Sequence, residues 1–308
     1  MADNICSVRD SLQEIDGHTW ILGGTILVSR QTSPSTIAWS DGNGSFFVVS
    51  KIQSPPPQTR PVSADIGIQL VHDAGDSSAV WKVGEAFCKV KVVEHEEATR
   101  EHVTLNFVHK KKPATFDTPA LIYHKEYRGR YYIILSSLEG DTVSKAWPSM
   151  DENQRDRAVT QLVDACNEMA TWEGPQISGA DGRHLPDEFL ARRRNKQFDP
   201  PTLLRNCQDL RMDCSTLRFY HCDMGPDNII INRANGEMGI IDWETAGYVP
   251  KEWMRTKFRI CSGMDLTGPQ NQPVHDWRRR VQLKMGEHGL PDVAESWMVC
   301  RSGKDGVE

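Results

Sequence analysis

The sequence predicts an α+β protein in which a strand-rich first part is followed by a mostly helical second part. Three observations carry that expectation. Between Gly67 and Leu135, short runs of alternating apolar residues are separated by glycine-containing turns, with one stretch of helical spacing among them. Beyond Gly140 the apolar residues fall on helical stripes, the clearest being Val159, Leu162, Val163, Cys166, Met169 and Ala170. Into that helical part a single hairpin is set, with Ile229 to Ile231 and Met238 to Ile241 as apolar arms and Asn235-Gly236 expected to supply the positive φ angles of a tight turn. A chain of 308 residues is long enough for two lobes with separate cores.

Taken in order, Trp20 to Ser29 reads as an apolar strand interrupted by Gly23-Gly24, and Asp41-Gly42-Asn43-Gly44 as a turn into a strand over Phe46 to Val49. Pro55, Pro56 and Pro57 make a stiff linker, so residues 1–62 are expected to be an N-terminal extension that pads or edges the strand-rich lobe. Ile68, Leu70 and His72 alternate, Ala79 to Val83 is a second strand, Gly84-Glu85 a turn, and Ala86 to Val93 a third strand. Glu101, Leu105 and Val108 follow helical spacing, and Tyr131 to Leu135 is a buried strand that runs into Ser136-Ser137-Leu138-Glu139-Gly140. The lobe boundary falls at about Gly140. Ser149-Met150-Asp151-Glu152 reads as a capping box before the long striped helix. Further helices are expected around Leu185 to Arg194 and Thr202 to Leu210, with Arg192, Arg193, Arg194 and Lys196 on a solvated face. The tail from Ser302 to Glu308 is small and polar.

The composition, 38% apolar and 25% charged, is ordinary for a soluble globular protein, and the net charge of -6 argues against nucleic acid as a partner. No apolar run approaches the roughly 20 residues that span a bilayer, and MADNICSVRD lacks the basic and apolar regions of a signal peptide. The cytoplasm is the expected compartment, with no membrane partner. Eight cysteines without CxxC or metal-ligand spacing fit reduced thiols better than a disulfide framework. Cys222 reads as a small buried apolar residue.

The chemistry concentrates between Phe219 and Ala246. His221, Asp223 and Asn228 stand in the spacing HxDxxxxN, and the hairpin carries the chain on to Asp242. Phosphoryl transfer from a nucleotide asks for this set: a carboxylate, Asp223, to accept or orient the proton of an attacking hydroxyl, and an amide oxygen, Asn228, with a second carboxylate, Asp242, to hold Mg²⁺. His221, two places before Asp223 on a strand end, is expected to face the core and brace the loop.

HCDMGPDN followed by IIDWE resembles the catalytic and metal-binding segments of the aminoglycoside phosphotransferase and choline kinase-like family. The resemblance implies a two-lobed protein-kinase-like fold, with a small antiparallel β-sheet lobe carrying one main helix (63–140, nucleotide binding) and a larger, mostly helical lobe (141–308, catalysis and acceptor binding). It implies ATP and Mg²⁺ as cofactors. The loop from His72 to Ser78 would cover the phosphates through Ser77 and Ser78, although no GxGxxG is present. Lys89 or Lys91 would reach the α- and β-phosphates, position in the family favouring Lys89, with Glu101 as its partner. Ser137 lies in the hinge whose backbone would pair with adenine. The glycine of the protein-kinase DFG triplet is replaced, since Asp242 is followed by Trp243 and Glu244. An Ala-Gly-aromatic-x-Pro run and Trp253 begin the acceptor subdomain.

The expected activity is transfer of the ATP γ-phosphate to a hydroxyl of a small molecule by a small-molecule kinase. Between Lys251 and Lys284 basic residues outnumber Glu252, Asp265 and Asp276, which points to a neutral or anionic acceptor, with Arg255 and Lys257 facing the cleft. The alternatives are a kinase-like scaffold that binds a nucleotide or metabolite without transfer, and an enzyme performing non-phosphoryl chemistry on a secondary metabolite.

Overall fold

The computed structural model describes residues 7–52, 57–63, 67–191, 196–267 and 273–302; Pro55-Pro56, the Arg192-Arg193-Arg194 run and the tail beyond residue 302 lie outside them. The chain divides into two compact units, one made of Met1–Glu96 with Pro119–Ser137 and the other of Glu97–Thr118 with Leu138–Glu308.

The first unit holds two antiparallel sheets among its described residues. One is built from β1 (Leu12–Asp16), β2 (Thr19–Leu22), β3 (Ile26–Gln31), β4 (Ala38–Ser40), β5 (Phe46–Lys51) and β6 (Arg60–Pro61), in the order β4-β5-β3-β2-β1-β6. The other contains β7 (Ile68–Asp73), β8 (Ser78–Val83), β9 (Ala86–Val92), β10 (Leu121–Tyr127) and β11 (Arg130–Ser136), in the order β10-β11-β9-β8-β7. Alternation decides which face is buried: Ala79, Trp81 and Val83 of β8 and Ala86, Cys88 and Val90 of β9 join Trp20, Trp39, Phe47 and Ile134 in one core. Residues between Val8 and Val49 therefore share a core with the second sheet. Trp39 Nε1 donates to the Val83 carbonyl at 2.6 Å, and Glu85 N–H donates to the Ser40 carbonyl, closing the seam at the β8–β9 turn.

The second unit opens with α1 (Glu101–Lys111), whose Phe107 packs against Trp172, Phe219 and Tyr248. After β12 (Asp141–Thr142) and α2 (Val143–Ala146) comes α3 (Glu152–Met169). Val159, Leu162, Val163, Cys166 and Met169 are its buried stripe, as the periodicity predicts. Its cap differs from the expected one. Asp151, not Ser149, accepts from Gln154 N–H while the Gln154 side chain accepts from Asp151 N–H. A 3₁₀ turn over Trp147–Ser149 takes up Ser149, whose hydroxyl donates to the Ala146 carbonyl, so the helix starts two residues later.

Two short strands, β13 (Glu173–Gly174) and β14 (Ser178–Gly179), flank a four-stranded sheet with β15 (Leu217–His221) and β18 (Ala246–Pro250), in the order β13-β15-β18-β14. Between them lies α4 (Pro200–Asp209), capped by Asp199. The helix expected around Leu185 is, among the described residues, a single turn: Asp187 Oδ1 accepts from the N–H groups of Phe189 and Leu190, and Ala191 N–H reaches the Asp187 carbonyl. The hairpin of β16 (Ile229–Ile231) and β17 (Met238–Ile240) is present, with a wider loop than predicted. Asn232 N–H donates to the Glu237 carbonyl, and Gly236 (φ 78°), not Asn235, takes the left-handed conformation. The side chains of Asn232 and Asn235 instead accept from N–H groups two residues on, the local competition that makes Asn a turn residue. The chain finishes with α5 (Glu252–Ile260), α6 (Asp276–Glu287) and α7 (Ala294–Ser302). Among the described residues no helix is long and apolar enough to cross a membrane.

Candidate active site

The site is assembled in the second unit from the end of β15 and the end of the β16–β17 hairpin. His221, the last residue of β15, is fully buried. Asp223 N–H donates to its Nδ1 at 3.2 Å, so Nε2 carries the proton and donates to the Ile241 carbonyl at 3.0 Å. The ring thus ties the Asp223 loop to the residue before Asp242. Burial lowers the His221 pKa against the opposing pull of Asp223 and Asp242, which suits the neutral tautomer these bonds require.

Asp223 is partly buried and is followed by a turn that Asn228 N–H closes on the Gly225 carbonyl. The turn is tight against its surroundings: a Cβ at Gly225 would come 2.6 Å from the Gly263 carbonyl oxygen. Asn228 Nδ2 reaches back to the Asp223 carbonyl (2.9 Å) and to its Oδ2 (3.2 Å). Two side chains five residues apart are thereby locked into one arrangement. Burial raises the Asp223 pKa, with Lys257 and His221 acting against it. Cys222 is buried, donates to the Tyr220 carbonyl, and has a thiol pKa pushed well up by burial, in line with a packing role.

Asp242 follows the hairpin in the left-handed region, φ 63°, a conformation that costs a non-glycine residue on the order of 1–3 kcal/mol. Its neighbour holds it there. Trp243 is fully buried, its indole N–H donates to the Ile240 carbonyl at 2.8 Å, and its ring packs on Phe116 and edge-on to His221. Trp243 N–H donates to Glu101 Oε1 at 3.1 Å. Carboxylate oxygens of Glu101, Asp242 and Glu244 lie within 4.8 Å of one another. Sequence spacing assigns Glu244 no role; its one signal is its place directly after Asp242-Trp243.

The remaining predicted residues are in the first unit. Lys89 and Lys91 lie in the first unit, on the face of β9 opposite Cys88 and Val90, Lys89 in register with Val80 and Ile133 and Lys91 with Ser78 and Tyr131. The β7–β8 connection is a short turn in which Ser77 Oγ donates to the Ala74 carbonyl and Ala74 N–H to the Ser78 carbonyl. Ser137 donates through both N–H and Oγ to the Glu85 carbonyl.

Arg255 and Lys257, expected to face the cleft, are both held by partners within the second unit. Lys257 is buried and pairs with Asp187 at 3.1 Å. Arg255 donates to the carbonyls of Gln282 and Leu290 and pairs with Asp292. Arg259, Arg278, Arg280 and Lys284 also have acidic partners: Asp292, Asp265, Asp276 with Glu152, and Glu287. Asp187, Asp292, Glu152 and Glu287 lie outside the stretch whose charges the sequence balance counted.

The model of the phosphotransferase enzyme family matches residues 70–250, and the chain belongs to that family. Among solved structures, a thermostable mutant of the aminoglycoside phosphotransferase APH(4)-Ia, in ternary complex with AMP-PNP and hygromycin B, is 13% identical over 78% of this chain and 84% of that one, with a TM-score of 0.51. The likeness is one of fold. APH(2'')-IIa in its ternary complex with streptomycin and ATP is 18% identical over 74% and 81% of the two chains, TM-score 0.48. APH(3'')-Id from Streptomyces rimosus is 16% identical over 80% and 88%, TM-score 0.48. Comparison with curated proteins by sequence finds no match.

Proposed function

We propose that the protein is an ATP-dependent small-molecule kinase that moves the γ-phosphate to a hydroxyl group, with residues 63–140 as its nucleotide-binding lobe. The observation that carries this reading is the grip of Asn228 on Asp223, which leaves Asp223 Oδ1 to take the hydroxyl proton while Oδ2 is held. In the proposed step the acceptor oxygen attacks the γ-phosphorus, the bond to the bridging oxygen breaks, ADP leaves, and the proton passes to Asp223. A pKa raised by burial makes this carboxylate a better base than an exposed aspartate. Lys89 would contact the nucleotide phosphates, joined by Ser77 and Ser78 at the β7–β8 turn, and the backbone of the hinge at Ser137 would pair with adenine.

The donor set fits a hard divalent cation: Asp242, Glu244 and Glu101 offer carboxylate oxygens within 4.8 Å, and Asn228 adds an amide oxygen. Mg²⁺ held by Asn228 and Asp242 would neutralise charge on the phosphates. Glu101 accepts from Trp243 N–H, which supports it as a brace for the Asp242 segment. With six of the eight cations of 251–284 paired with carboxylates, a neutral hydroxyl compound is the favoured acceptor. A second reading, nucleotide binding without transfer, draws on the β7–β8 turn, whose Ser77 hydroxyl donates within the turn. Titration calorimetry with Mg-ATP tests both: wild-type chain is expected to bind and Asp242→Ala to lose the metal-dependent part. Equal affinity in the two proteins would overturn the metal assignment, and binding without turnover on any hydroxyl acceptor would select the second reading.

A further inference from the structure

Arg218 and Tyr220 of β15 line a cleft of about 570 Å³ in the second unit. Side chains alternate along a strand, so these two share one face of β15 while Phe219 and His221 take the other. Ala170 at the end of α3, Leu290 in the connection between α6 and α7, and Lys251 at the start of α5 complete the part of the lining that matters here. That volume lies within the range of small-molecule sites. None of the residues placed at the candidate active site lines the cleft. Its Leu290 side is held in place: Arg255 donates to the Leu290 carbonyl at 3.0 Å, and Leu290 N–H donates to the Met285 carbonyl.

Two groups of the lining lack a counterpart. Tyr220 is 1% exposed, and its hydroxyl has no hydrogen-bond partner among the described residues. A buried tyrosine O–H ordinarily finds an acceptor, and the cleft is where an acceptor can reach this one. Burial raises the Tyr220 pKa, so the hydroxyl keeps its proton and acts as a donor. Lys251 is exposed and forms no salt bridge among the described residues. The Asp213 pKa is lowered mainly by Ser215, with Lys251 a lesser cause. Arg218, by contrast, pairs with Glu173, which also lines the cleft. The charges of Arg218 and Glu173 cancel, which leaves the lining with one positive charge, that of Lys251.

We propose that this cleft binds a small organic monocarboxylate through the Tyr220 hydroxyl and the Lys251 ammonium, with the apolar body of the ligand on Ala170 and Leu290. A single negative charge matches the single positive one, and a carboxylate oxygen is the acceptor that Tyr220 lacks. An alcohol could accept from Tyr220 but would leave Lys251 unpaired. A protonated amine would meet the Lys251 charge and has no acceptor to offer Tyr220. The ligand would contact β15, the strand that delivers His221. Nothing in this proposal depends on phosphoryl transfer.

The test uses the full chain and fluorine NMR. The probes are para-fluorobenzoate and ω-fluorohexanoate, with para-fluorobenzyl alcohol and para-fluorobenzylamine as neutral and cationic counterparts of the first. Both carboxylates are expected to show saturable line broadening, and the alcohol and amine to bind at least about tenfold more weakly. Tyr220→Phe and Lys251→Met should each weaken carboxylate binding roughly tenfold, the scale of a hydrogen bond to a charged group. Lys110→Met, at an exposed position of α1, should leave it unchanged. Asp223→Asn should also bind the carboxylates as wild type does, which separates this cleft from the candidate active site. The proposal is overturned by the absence of saturable broadening for both carboxylates, by equal affinity for the alcohol or the amine, by wild-type affinity in either Tyr220→Phe or Lys251→Met, or by loss of binding in Asp223→Asn.

Discussion

Two stretches of the second unit, 219–246 and 251–284, lie almost end to end in sequence and answer differently to inspection. In the first, the offsets between residues are the information. Asp223 and Asn228 stand five positions apart across a tight turn, and a short hairpin leads on to Asp242, so backbone geometry brings the side chains together. In the second, the sequence offers only a balance of charges, which leaves out the partners that the fold supplies. Lys257 faces Asp187, Arg255 and Arg259 face Asp292, and Arg280 faces Glu152, all partners supplied from outside the window. Local spacing predicts local geometry. A charge balance predicts a field only when the partners are counted too.

The sharpest test of the first stretch is Asp223→Asn, a nearly isosteric change. It should retain nucleotide binding and lose transfer by roughly two to four orders of magnitude, measured as steady-state turnover on an acceptor. Wild-type turnover would show that the geometry around Asp223 serves packing rather than catalysis.

For the second stretch, Lys257→Met separates a structural cation from one that meets the acceptor. Asp187 would be left charged and fully buried, so the variant should lose about 3–5 kcal/mol in denaturant unfolding. Lys257→Met with Asp187→Asn should recover much of that loss, since the buried charge goes with its partner. A Lys257→Met protein of undiminished stability and altered acceptor affinity would restore the cleft-facing reading. Arg280→Ala should matter far less. Its ion pairs with Asp276 and Glu152 are a third exposed on the arginine side, so the expected cost is under about 1 kcal/mol, with no change in the salt dependence of acceptor binding.

Paired charge has its counterpart in the first unit, where the comparison can be drawn with pH. Glu14 accepts from Ser63 and Arg60, and these bonds hold its pKa at about 2 against an ordinary value of 4.5. A carboxylate depressed in the folded state stabilises the fold above its unfolded pKa, and that stability fades as pH falls from about 4.5 towards 2. Glu14→Gln should flatten the acid limb of a melting-temperature profile in that window. An unchanged limb would show that the Glu14 pair does not control it.

By itself the sequence determined the elements whose cause is local. The period-2 alternation of β8 and β9, the helical stripe of α3, the glycine pair between β2 and β3 and the arms of the 229–240 hairpin all lie within a few residues of the signals that specify them. The same holds for the joining of Asp223 to Asn228. At the start of α3 the Trp147–Ser149 turn takes up Ser149 and leaves Asp151 as the cap. Only the tertiary structure decided that residues between Val8 and Val49 share a core with β7–β11, that Glu101 accepts from Trp243 N–H, and that Lys257 lies buried against Asp187. Each joins residues tens of positions apart or more. Burial and ion pairing depend on which surfaces the folded chain brings together, and no local period or offset encodes that.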